Sequence, residues 1–201
     1  MNRRTFLAGT GLAIAGLAGC LSNGEGPGTD DDGTDDSGDD GDADSVPVLT
    51  DYAVSDHVVA PDAERNSDMD AWGLFLATRD AAEGYFGAVD GSGAEAVRTF
   101  IDETAFDAGD RLLYIQAFAR QTCYDLVLEG EPAVGANGLP GVRVGLDRTA
   151  PEDEPCGDAI TPVDLLLRLS FDLDAGSTDV VEVQVSGSLN DPEDLLIEAE
   201  R

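Results

Sequence analysis

The chain of 201 residues contains no lysine; all 11 of its basic residues are arginine. It therefore has no lysine for a P-loop, a Schiff base or a Ser-Lys dyad. His57 is the only histidine. Blue-copper sites take two histidines and a cysteine, and three-histidine and HExxH zinc sites need more than one histidine, so the count excludes all of them. A Ser-His-Asp hydrolase would have to use His57. The G-x-S-x-G elbow is missing, and Ser55-Asp56-His57 is no triad, because adjacent strand residues point to opposite faces. His57 is read as an ordinary half-exposed strand residue. Long apolar runs are also scarce: the run over residues 6–18 has 13 residues, against roughly 20 needed to cross a hydrocarbon core.

Acidic residues are abundant. There are 42 of them, and the formal charge is −31. Nucleic-acid binding needs basic patches that displace counterions from phosphates, so the field has the wrong sign for it. An amphipathic helix with a basic face for anionic lipid is missing too.

The amino end supplies another route to a membrane. Arg3-Arg4 precedes Thr5-Phe6-Leu7, the short apolar run follows, and Leu17-Ala18-Gly19-Cys20 closes it. The paired arginines resemble the twin-arginine signal that exports folded proteins, with Asn2 and Ala8 departing from the usual residues. Leu-Ala-Gly-Cys resembles the lipobox of bacterial and archaeal lipoproteins; a plain signal peptide ahead of a chance cysteine is the alternative. The resemblance implies a signal peptide over residues 1–19 and lipid on Cys20. The mature protein would then sit at the cell surface, on the extracellular side of the cytoplasmic membrane. Residues 1–19 hold two arginines and no acid, so the mature chain has nine arginines against 42 acids, a formal charge of −33. A lysine-free chain this acidic resembles proteins of salt-loving archaea.

Residues 21–45 are mostly Gly, Asp, Ser and Thr, punctuated by Asp30-Asp31-Asp32, Asp35-Asp36 and Asp39-Asp40. Such a segment buries too little apolar surface to offset its ordering entropy, so residues 20–45 are expected to be a lipidated cysteine plus a disordered acidic tether. The EF-hand pattern is not met there.

Residues 46–201 are long enough for one domain, with a mixed α/β part over 46–110 and a β part over 111–201. Strands are expected over residues 111–120, 123–128, 142–148, 164–172 and 180–186, with Asn137-Gly138 and Pro140-Gly141 as turns between the second and third. Further strands are expected over 52–59 and 72–78. A short helix is expected over 79–86. A second runs from a capping box at Ser92 and Glu95 to about Glu103, with Ala94, Val97, Phe100 and Ile101 on one face. Asp191-Pro192 suggests a terminal helix. The fold class is α+β and β-rich, an antiparallel sandwich or open barrel covered by one or two short helices.

With Cys20 assigned to lipid, Cys123 and Cys156 remain as an even pair in an oxidising compartment. A disulfide is expected, closing a loop of about 33 residues. A redox pair is the alternative, disfavoured by the wide spacing and acidic flanks. Calcium binding by Glu152, Asp153 and Glu154 competes with a plain solvated loop. No cofactor is expected.

Residues 111–185 also resemble the small β domain of secreted lipoproteins that stabilise protease complexes. There a strand leads into a Thr-Gly-Gly-Tyr turn, and a Thr-x-Pro step enters a later strand. Here the steps are Gln121-Thr122-Cys123-Tyr124, the strand over 142–146, and Thr161-Pro162-Val163. The two glycines are replaced. The resemblance implies a non-catalytic interaction module and supplies no site residues. The expectation is an exported, lipid-anchored, halophile-adapted, non-enzymatic module that binds an envelope protein or ligand. Alternatives are a carboxylate-based extracellular hydrolase and a small solute-binding lipoprotein.

Overall fold

The computed structural model describes residues 46–55, 71–91, 93–172, 178–187 and 193–201. Among the described residues, nine strands and two helices follow one another: β1 (Val48–Val54), β2 (Ala71–Leu76), α1 (Arg79–Phe86), α2 (Ala94–Asp102), a 3₁₀ turn (Phe106–Ala108), β3 (Asp110–Ala119), β4 (Tyr124–Leu128), β5 (Ala133–Val134), β6 (Pro140–Arg148), β7 (Thr161–Asp172), β8 (Val180–Ser186) and β9 (Glu193–Glu200). The strands form one sheet in the order β1-β7-β3-β2-β9-β8-β6-β4, with β5 beside β6. It is a curled sheet, a half-barrel with two helices. Most pairings are antiparallel, but β2–β9 and β6–β8 are parallel. Strand alternation carries no signal for that direction.

The concave face holds the larger core. Phe75, Leu113, Ile115, Leu165, Leu167, Val144 and Val183 meet there. The convex face of β2, β3 and β7 holds a second core, where Leu76, Leu112 and Leu166 receive Ala82 and Phe86 of α1 and Val97 and Ile101 of α2. This two-sided burial explains why β3 is apolar almost throughout instead of alternating.

Side chains finish two of the helix ends. Thr78 caps α1, its hydroxyl accepting from the Ala81 amide at 3.2 Å. Past α2, Arg79 donates to the carbonyls of Asp102 and Thr104, and Arg168 donates to that of Glu103. These are carbonyls that a helix leaves without intrahelical donors. The residue at the start of α2 is Gly93, with φ +100° and no side-chain cap; the Ser92 half of the expected capping box lies outside the described residues.

Two local expectations are corrected. The segment after Asp191-Pro192 is strand β9, not a helix. Leu195, Ile197 and Ala199 pack on the concave core while Asp194 and Glu198 are exposed, a period of two that fits a strand. Pro140-Gly141 opens β6 instead of forming a turn, a position where a proline costs no ladder bond. The turn is made by Asn137-Gly138 alone, with Gly138 at φ +78°.

Candidate functional site

Strand β7 is longer than its neighbour β1. The ladder between them covers Leu167 to Asp172, and the Ser55 amide adds a bond to the Leu166 carbonyl at 2.9 Å. Beyond that, residues 161–165 pair with β3 on one side and with no described strand on the other. Strand β4 pairs with β6 and likewise has a second edge without a described partner. Between these edges lies a cleft of about 570 Å³, lined by Val54, Ser55, residues 122 and 124–128, and residues 161–165. Leu126, Val163 and Leu165 of that lining belong to the concave core, so the floor is apolar.

One end of the cleft carries the disulfide. Cys123, one residue before β4, is bonded to Cys156, with 5.5 Å between the Cα atoms. Thr122 and Gly157 beside them exchange two hydrogen bonds. The two cysteines are therefore brought together as expected. Glu152, Asp153 and Glu154 are exposed on the loop before Cys156. They form no group able to hold a metal ion, and among the described residues there is none. Arg148 accounts for this loop: its guanidinium donates to the carbonyls of Ala150, Pro151 and Glu154 at 2.5–3.1 Å. A cationic group thus already collects carbonyls that a calcium site in this loop would use. Arg3, Arg4, Cys20 and His57 lie outside the described residues.

The convex face behind the cleft carries a polar group that the sequence did not reveal. Trp72, Gln116 and Asp164 lie in one row across β2, β3 and β7. Trp72 Nε1 donates to Gln116 Oε1 at 3.0 Å. Asp164 Oδ1 accepts from Gln116 Nε2 at 2.8 Å and from the Tyr114 hydroxyl at 2.6 Å. Tyr85 of α1 packs on Trp72 and Tyr114, with ring centroids 6.3 and 5.5 Å away. Burial pushes the Tyr85 hydroxyl up to about 12, against a smaller opposing effect of Tyr114. Burial, then the charge of Asp164, raises Tyr114 further. Tyr114 is fully buried and Gln116 nearly so, while Trp72 and Asp164 are half-buried, and Asp164 also reaches the lining of the cleft. The available signal was Gln116 within the apolar run of β3 and Asp164 just ahead of the three leucines of β7; knowing that they meet required the register.

The sequence matches no family model, and neither a curated protein nor a solved structure matches it.

Proposed function

We propose that this chain is an exported, lipid-anchored, non-enzymatic binding module that presents the cleft between β4 and β7 to another component of the cell envelope. The leader with Arg3-Arg4 and the lipobox ending at Cys20 support export and anchoring, and the acidic Gly/Asp segment supports a spacer. The observation that carries the binding half is the cleft itself, an apolar floor flanked by two strand edges without described partners. Edges of that kind are interaction surfaces unless something covers them.

One experiment separates the two halves. Cells grown in molar salt express wild type, Cys20→Ala or the pair Val54→Arg/Thr161→Arg, and surface cross-linking is followed by fractionation. Val54 is 41% exposed and Thr161 is partly exposed, so both arginines fill the cleft mouth without entering the core. Cys20→Ala is expected in the medium, with its cross-linked partner retained. The cleft pair is expected on the membrane, with the partner lost. A membrane-bound Cys20→Ala protein contradicts the anchor; an undiminished cross-link in the cleft pair contradicts the binding face.

A further inference from the structure

We infer that the cleft receives an extended segment of a partner polypeptide, added as a strand to the edge of β4 that has no described partner and carrying basic side chains. This rests on the reading of the cleft as the binding face and names what fits it. The first argument is the direction of the backbone groups. The Cys123 carbonyl accepts from Thr149 at 2.9 Å and the Glu129 amide donates to Arg143 at 2.8 Å. Odd-numbered residues of β4 therefore turn their backbone toward β6, and Tyr124, Leu126 and Leu128 turn theirs into the cleft. On the opposite wall the Leu166 carbonyl accepts from Ser55, so even-numbered residues of β7 face away from β3. There Asp164 offers an amide and a carbonyl, while Pro162 offers a carbonyl alone. Strand β4 thus presents three successive donor–acceptor positions and the β7 edge is interrupted by proline, which is why the added strand belongs on β4.

Regularly spaced amide donors and carbonyl acceptors along one edge are complemented by another extended backbone; a compact ligand reaches only part of such a row. The apolar floor made by Leu126, Val163 and Leu165 gives alternate side chains of the incoming strand a place to pack. Asp125 and Asp164 are the only charged residues in the lining. Complementarity therefore selects a cationic segment over an anionic one.

Amide hydrogen exchange on the full chain carrying Cys20→Ala tests the inference. The probes are the synthetic peptide Thr-Arg-Val-Arg-Val-Arg-Thr, its glutamate counterpart, and two versions N-methylated at alternate residues in opposite phase. In the free protein the amides of residues 124, 126 and 128 are expected to exchange faster than those of 125 and 127. The arginine peptide slows the three by roughly tenfold or more, the glutamate peptide slows them less, and one N-methylated phase has no effect. The inference is overturned if the three amides are already protected in the free protein, if saturating arginine peptide leaves them unchanged, or if both N-methylated phases act like the parent. Should the peptides fail while Val54→Arg/Thr161→Arg still abolishes the surface cross-link, the cleft remains the binding face and strand addition falls. Should that cross-link survive the arginine pair, the binding reading itself falls.

Discussion

Tyr85 is the one described residue whose buried side-chain polar atom has no hydrogen-bond partner. Tyr114 beside it is in the opposite condition, donating to Asp164 and accepting from Gln116. The same substitution should therefore have opposite outcomes at the two positions. Removing an unpaired buried hydroxyl relieves a desolvation cost, so Tyr85→Phe is expected to be neutral or to stabilise by up to about 1 kcal/mol. Tyr114→Phe removes one donor to Asp164 and one acceptor of Gln116, which keep their bond to each other, and is expected to cost about 1–2 kcal/mol. Urea unfolding measures both. The same pair sets an alkaline limit. Both hydroxyls are raised above their ordinary value of 10.0 in the fold, Tyr85 to about 12. The unfolded chain loses these protons at lower pH than the folded one. Stability held by the neutral hydroxyls is thus fully present below about pH 10 and declines as pH rises through about 12. Urea midpoints should fall over that window and fall less in each Phe variant; a flat profile in wild type would refute the assignment.

Between β6 and β7 the loop of residues 149–160 is attached by the disulfide, the paired bonds of Thr122 with Gly157, the bonds of Thr149 to the Cys123 carbonyl, and the Arg148 fork. These act on different states. The disulfide restricts the unfolded chain and, with a sequence separation of 33, is worth about 3–4 kcal/mol in the chain-entropy model. Arg148 orders the folded loop locally. Reduction is therefore expected to lower the global unfolding free energy, while Arg148→Ala in the oxidised protein leaves it within about 1 kcal/mol and instead opens the loop to a glutamate-specific protease at Glu152 and Glu154. Equal protease resistance in wild type and Arg148→Ala would show that the guanidinium does not hold the loop. The elements themselves were legible to different degrees. Helix α1 matches its expected range, and the apolar stripe Ala94, Val97 and Ile101 located α2 because helix periodicity is a local property. Strand β9 was obscured because exposed Leu196 interrupts its alternation and Asp-Pro mimics a helix start. The parallel pairings, the row Trp72–Gln116–Asp164 and the edge of β7 that outruns β1 all depend on register between distant segments. Register is fixed by tertiary packing and leaves no mark on a single strand. The pairing of Cys123 with Cys156 was readable by count; the cleft beside it was not.

For the molecule as a whole the dominant electrostatic fact is imbalance: 42 acids face 11 arginines. Among the described residues, most of the arginines are committed to carbonyl oxygens. Arg98 donates to Val89, Arg111 to Phe106 and Asp110, and Arg148 and Arg168 to the loops beside them. Ion pairs such as Arg79–Asp102 and Arg201–Asp179 have side chains 41–74% exposed, and each is worth about 0–1 kcal/mol. Added salt weakens these few attractions and the many acid–acid repulsions together. With roughly four acids per arginine, relief of repulsion must win. The urea midpoint is therefore expected to rise with sodium chloride. Most of the gain should come below about 0.5 M, because the screening length shrinks from about 10 Å at 0.1 M to only about 3 Å at 1 M. A gain that is linear up to several molar would instead identify exclusion of salt from the surface as the cause. A midpoint equal in dilute buffer and molar salt would remove the case for charge repulsion, and with it the physical basis for reading this acidic surface as an adaptation to brine.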